Sequence, residues 1–444
     1  MNNKTRYWIR SGSYSLLTRI SITLFGLLNF FFLVKMVSQN EFGVWTLYLS
    51  LTTIFESIRT AFIYNPLIRI LNSSEASESK QIISSSFYLN QVSALVVSAI
   101  MLIFSLTLSS FWEAPQLAPM FLIYIVTSVT YTWFSHYTYL MQAKLSFKGT
   151  FYSTFVQRAG LFFYILYLFI VKTDVSLISL AWANAIAYGL SALVAFLFSL
   201  RFREFTYRVK RETMVALAQY GKWTLGTNIS GLVNRGINNW LLASFLSPAA
   251  VAIYNPAVRI SNLFEVPLFA VSQVFYPKMV SNVKEKGLTE AKLMYEKSVG
   301  FIMLFSFAIF IFLFAFAEPI INFIAKGAEE SYAESIPVLR VVLIYSLLMP
   351  FQRQFGVTLN AIGKANVNFY FIIISVAFSV VIKFFMVKYY GIMGAAWGTV
   401  ISYFISVVII QIVMSKMLKV ETWNVFRYAW EFLTSLKSGI KNKI

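Results

Sequence analysis

The chain is predicted to be an all-α integral membrane protein with about twelve transmembrane helices, and three observations predict it. Apolar residues make up 58% of the 444 residues and charged residues only 12%, with a mean hydropathy of +0.68, which is too apolar for a soluble domain of this length. Apolar runs of about 20 residues, enough to cross the hydrocarbon at about 1.5 Å rise per residue, recur along the whole chain. Lys and Arg collect in alternate connections between those runs, the pattern that orients membrane helices. The net charge of +19 is thereby assigned to topology and not to nucleic acid.

In order, the runs cover 13–37, 42–65, 83–109, 117–141, 150–171, 176–200, 219–246, 252–277, 296–317, 334–359, 366–387 and 392–414. The first is longer than a signal-peptide core and lacks a small-residue cleavage site, so it is expected to stay as the first span. An even number of spans puts both termini on one side. The tails and connections of that side hold 25 Lys and Arg, whereas the opposite side holds only Lys35, Lys172, Lys326 and Lys388. Both termini are therefore expected in the cytoplasm. The outer connection Glu318 to Glu334 is acidic and too short for a domain. The stretch from Arg201 to Leu217 and the tail from Lys416 mix aromatic and basic residues, as interfacial amphipathic helices do. The domain reading is a six-helix bundle over 1–210, a second over 211–414, and an amphipathic cytoplasmic tail over 415–444.

Span one laid on span seven at an offset of 209 puts Thr18-Arg19-Ile20-Ser21 on Thr227-Asn228-Ile229-Ser230 and Asn29 on Asn238. Six spans per repeat give both halves the same orientation, so a pseudo-two-fold axis along the membrane normal is expected. In span seven, Asn228, Arg235, Asn238 and Asn239 recur at helical spacing and form a polar stripe, which must face protein or water.

The residues available for chemistry argue against an enzyme. Asp174 is the only aspartate, His136 the only histidine, and there is no cysteine, so no metal site, cofactor site or nucleophile with its base is expected. Ten charged residues lie within spans: Arg19, Glu56, Arg59, Arg158, Arg235, Arg259, Glu265, Arg340, Arg353 and Lys383. Arg19, Arg340 and Lys383 lie near span ends, where long side chains snorkel. Glu56 and Arg59 are one turn apart and are expected to pair. Arg158, Arg235, Arg259 and Arg353 have no local acid. Eight cations against two acids leave an excess of +6, which suits an anionic ligand bearing phosphate. His136 is a candidate proton relay. Gly391, Gly394 and Gly398 are read as a close helix-packing motif.

At this point the residues carry a family resemblance. The turn SQNEFGVWTLYLSL at 38–51, the region around 242–279 and the ending KYYGIMGAAWGTVISY at 388–403 resemble polysaccharide flippases of the Wzx type, in the superfamily of multidrug and toxin extrusion (MATE) transporters and lipid II flippases. The resemblance implies a V-shaped pair of six-helix bundles around a central cavity. It implies a substrate of oligosaccharide linked through diphosphate to undecaprenol, moved from the inner to the outer leaflet of the bacterial cytoplasmic membrane, for O-antigen or another glycan. It also implies coupling to H+ or Na+, contact with membrane lipids, and a polysaccharide polymerase complex as a candidate partner. The expected substrate-binding set is Arg19, Asn29, Arg158, Asn228, Arg235, Asn238, Asn239, Arg259 and Arg353. The ion-coupling candidates are Glu56, Glu265 and His136. A MATE-like, cation-coupled exporter of cationic drugs is the alternative, disfavoured by the cationic excess.

Overall fold

In a hydrocarbon solvent every backbone polar group must be satisfied within its own segment, so runs of this composition become helices. The computed structural model describes residues 3–73, 78–202, 209, 211–325, 327 and 329–441, and among them it contains α-helices and short 3₁₀ turns only. In order these are α1 (Asn3–Met36), α2 (Gln39–Ser73), α3 (Ser79–Phe111), α4 (Leu117–Ala143), α5 (Phe147–Val171), α6 (Leu177–Ser199), α7 (Arg211–Phe245), α8 (Pro248–Ser261), α9 (Glu265–Lys286), α10 (Leu288–Ala315), α11 (Ala317–Ile324), α12 (Ser335–Ser346), α13 (Met349–Ala361), α14 (Ala365–Leu418) and α15 (Thr422–Lys441).

All twelve expected spans fall on helix. Eight stretches are long and apolar enough to cross a membrane by length and composition, the last being Ala365–Leu418 at 54 residues. That helix is two spans folded at Gly391 (φ 58°, ψ −135°), a conformation that an L side chain resists. The hairpin explains the neighbouring glycines. A Cβ on Gly394 would lie 1.9 Å from the Met386 carbonyl oxygen, and one on Gly398 would lie 3.3 Å from Lys383 Cα. α2 and α7 have 35 residues each and are long enough, but polar residues in mid-helix lower their hydropathy. The expected eighth span is broken into α8 and α9 by a 3₁₀ turn at Asn262–Phe264. The expected tenth is broken into α12 and α13 at 347–348, with Pro350 near the start of α13, where its missing N–H costs nothing.

The turn from α1 into α2 is a capping box. Ser38 N–H donates to Glu41 Oε2 at 2.9 Å and Glu41 N–H donates to Ser38 Oγ at 3.3 Å, so two otherwise orphaned donors are satisfied reciprocally. The interfacial helix expected over Arg201 to Leu217 is only partly visible, because 203–208 and 210 lie outside the described residues. From Arg211 on, that stretch is the first two turns of α7.

The chain divides into two compact units, Met1–Gly236 with Ser247–Ala249, and Ile237–Leu246 with Ala250–Ile444. In the first, Ile63, Leu67 and Leu71 of α2 pack on Ile82 and Ile83 of α3 and on Tyr139 and Leu140 of α4. In the second, Tyr295 and Val299 of α10 pack with Phe351 and Phe355 of α13, Ile410 and Met414 of α14, and Val425 of α15. Large apolar side chains also face outward, such as Leu106 (73% exposed) and Ile170 (68%). That outer surface suits lipid and not water.

Candidate functional site

Within the first unit, α2 carries an acid and a base one turn apart, and the two diverge. The Arg59 side chain, 2% exposed, enters the contact of α2 with α3 and α4. Its Nε donates to Ser93 Oγ at 3.2 Å, Nη1 to Ser128 Oγ at 3.0 Å and to the Ser128 carbonyl at 3.2 Å, and Nη2 to Asn90 Oδ1 at 3.1 Å, to the Asn90 carbonyl at 3.5 Å and to Thr132 Oγ1. The guanidinium also lies 4.9 Å from the Tyr131 ring centroid. The expected Glu56–Arg59 ion pair is absent among the ion pairs of the described residues. Helical spacing permitted the pair, but a five-donor fork is better satisfied by the six oxygens of two neighbouring helices than by one carboxylate.

Glu56 is oriented toward α5 and α6 instead. Tyr188 O–H of α6 donates to its Oε2 at 3.1 Å. Arg158 of α5 and Arg59 lie near the carboxylate, neither within ion-pairing distance of it among the described residues. The Arg158 Nε is buried without a hydrogen-bond partner. Tyr131 O–H and Thr60 O–H both donate to the Glu56 carbonyl, at 3.2 and 2.8 Å. The cluster thus holds the Glu56 carboxylate, the incompletely satisfied Arg158 and several tyrosine hydroxyls.

Around this cluster the other expected residues separate. His136 is 1% exposed, with both ring nitrogens lacking hydrogen-bond partners, and lies edge-on to Phe87 at 5.0 Å. Its surroundings are aromatic, and it has no hydrogen-bonded neighbour to exchange a proton with. On α1, Arg19 is exposed and Asn29 is half-buried, its Oδ1 without a hydrogen-bond partner. Asn228 and Arg235 lie on α7, but their side chains are outside the described residues.

In the second unit, Asn238 is buried in a contact of three helices. Its Nδ2 donates to Tyr254 Oη on α8 at 2.7 Å and to Thr399 Oγ1 on α14 at 3.0 Å. Asn239 Oδ1 accepts from Asn255 Nδ2 at 3.4 Å. Part of the stripe on α7 is therefore spent on joining helices, as polar groups in membranes commonly are. Arg259, half-buried, sits in the last turn of α8, and Glu265, exposed, opens α9 beyond the 3₁₀ break. Each charge is at the helix end whose dipole favours it. Arg353 of α13 is exposed, with its guanidinium 5.8 Å from the Phe269 ring centroid one turn along α9 from Glu265. Lys383 does not snorkel. It is 1% exposed, because the hairpin at Gly391 folds the second half of α14 against it through Gly398.

The sequence alone missed Tyr188, which touches Glu56, and the four hydroxyl or amide residues around Arg59. Small polar residues in an apolar run read as neutral, so the only signal was their recurrence, Asn90/Ser93 and Ser128/Thr132, at helical spacing.

The family described as polysaccharide biosynthesis protein matches residues 32–328, 297 of the 444 residues. The chain belongs to that family. Among individual relatives, this polysaccharide biosynthesis family member is 27% identical over 198 residues to an uncharacterized membrane protein of Methanocaldococcus jannaschii, covering 44% of the chain and 38% of the relative. It is 26% identical over 179 residues to the capsular polysaccharide biosynthesis protein CapF of Staphylococcus aureus, covering 40% and 44%. The matches thus span less than half the length of either relative. In fold it is similar to the lipid II flippase MurJ in an inward closed conformation, with a TM-score of 0.77, 12% identity and coverage of 97% of this chain and 93% of that one. An inward-facing MATE family multidrug transporter gives a TM-score of 0.75, 13% identity and coverage of 96% and 99%. The resemblance read from the sequence therefore holds for family and fold, and the chain is a multi-pass membrane protein.

Proposed function

We propose that the chain is a flippase that moves oligosaccharide linked through diphosphate to undecaprenol from the inner to the outer leaflet of a bacterial cytoplasmic membrane, with both its termini cytoplasmic. Family membership and the fold shared with a lipid II flippase support the class. The observation that carries the substrate chemistry is the uncompensated charge: Arg59, Arg158, Arg340 and Arg353 lie in helices of the membrane domain, and none has a carboxylate within ion-pairing distance among the described residues. Arg59 is satisfied by neutral oxygens, whereas Arg158 retains a buried donor. A planar guanidinium with an unmet N–H suits a phosphate oxygen.

In this reading Arg158 grips the diphosphate, and Asn29 of the same unit meets sugar hydroxyls. Glu56 is the coupling group. An ionised Glu56 and a bound diphosphate compete for the Arg158 guanidinium, which links a proton on Glu56 to the presence of substrate. Drug export by the MATE route asks for acids facing a cationic drug, and the one acid of the first unit's cluster is held by Tyr188 with Arg158 near it. The test is replacement of Arg158. Arg158→Ala should accumulate normally and leave lipid-linked repeat units on the inner leaflet, and Arg158→Lys should recover little, since a point charge lacks the fork. Full export by Arg158→Ala would overturn the assignment.

A further inference from the structure

The tail helix α15 has two apolar faces, and only one is occupied. On the occupied side, Val425 is buried in the core of the second unit and Phe432 meets Phe301 at 5.1 Å. Glu296 of α10, itself buried, accepts the Glu421 backbone N–H on Oε1 at 2.9 Å and Asn424 Nδ2 on Oε2 at 3.3 Å. A carboxylate thus caps the N-terminus of α15, where the dipole favours it. Lys292 Nζ joins the pair, 3.2 Å from Glu421 and 3.9 Å from Glu296. At Gly300 the backbones nearly touch, since a Cβ there would lie 2.6 Å from the Val425 carbonyl oxygen. The contacts run from 421 to 432 on α15, about 16 Å of helix, and from 292 to 301 on α10, about 14 Å. The contact begins where the polar start of α10, with Glu290, Lys292, Glu296 and Lys297, gives way to its apolar run, the level of a headgroup layer.

The unoccupied side displays Trp423 (78% exposed), Phe426, Arg427 and Trp430 (66%), spaced for one face of a helix. Residues 416–444 carry six Lys and Arg against two Glu. These aromatic rings, beside the exposed Lys416 and Lys419 and beside Arg427, which also pairs with Glu431 at 3.4 Å, match an interface that is apolar on one side and negatively charged on the other.

We propose that this face is a docking surface for anionic phospholipid, so that α15 is clamped between the Glu296 cap on one side and a charged membrane surface on the other. The steadiness of the α10–α15 pair then depends on lipid composition, independently of what the protein transports.

The natural absence of cysteine permits a direct test on the full chain. Trp423→Cys, Trp430→Cys and, as a water-exposed reference, Glu334→Cys are each spin-labelled and reconstituted in nanodiscs of phosphatidylcholine alone or mixed with phosphatidylglycerol. In the anionic discs, collision with an aqueous nickel chelate should fall several-fold at 423 and 430 relative to 334, and collision with oxygen should rise. Removing phosphatidylglycerol or adding high salt should return both labels toward the reference. Labels as open to the chelate as position 334 in both lipids would overturn the proposal, as would shielding equal in both lipids. Spin–spin broadening between copies would assign the face to a second chain and overturn it as well.

Discussion

Replacing Arg59 by Ala should unfold the first unit's clamp without touching the transport chemistry. The side chain makes four side-chain hydrogen bonds to two helices, to Ser93, Ser128, Asn90 and Thr132. At about 0.6 to 1.5 kcal/mol each in a membrane interior, these total roughly 2 to 6 kcal/mol. Some acceptors keep a second donor. The Ser128 carbonyl retains Thr132 O–H at 2.8 Å, and the Asn90 carbonyl retains Ser93 O–H at 2.7 Å, so the loss should sit near the middle of that range, about 4 kcal/mol. Arg59→Lys should recover less than half, because three donors on one nitrogen cannot span α3 and α4 together. The assay is reversible unfolding of the purified protein in mixed micelles with rising dodecyl sulfate, followed by far-UV circular dichroism. If Arg59→Ala were as stable as the parent and yet inactive, Arg59 would be a substrate-contacting residue and the division of roles between Arg59 and Arg158 would be wrong.

Two other substitutions probe the remaining polar groups. Glu56→Gln keeps an oxygen for Tyr188 O–H but cannot titrate, so transport into vesicles should lose its response to an imposed proton gradient while the protein stays folded; an unchanged response would remove Glu56 from coupling. Asn238→Leu removes the links to Tyr254 and Thr399 and should destabilise the second unit by about 1 to 3 kcal/mol. Unfolding monitored as for Arg59 checks it, and unchanged stability with lost transport would make Asn238 a binding residue.

The spans were legible because membrane insertion is decided by length and hydropathy, properties of each run by itself. The breaks were less so. Pro267 stood near the eighth span's interruption, but the 3₁₀ turn actually lies at 262–264, and nothing in the sequence marks that register. Gly391 was visible as part of a glycine motif and turned out to be the fold of a hairpin, because only its positive φ, not its spacing, decides which role it has. The site was legible as a list of intramembrane charges but not as a set of partners. Arg59 shows why: its nearest acid in sequence is Glu56, and its actual partners are 31 to 73 residues away. Lys383 shows the same thing for depth, since its burial depends on a helix that follows it.

Transport of a diphosphate-linked glycan across the bilayer can be followed in vesicles. Purified protein is reconstituted into proteoliposomes containing a fluorescent undecaprenyl diphosphate oligosaccharide, and the fraction of label reached by an impermeant reductant is followed with time. The parent protein should deplete the protected pool, and Arg158→Ala should deplete it no faster than empty vesicles do. Protection unchanged by the parent protein, in vesicles where the same preparation exports a cationic dye, would contradict it.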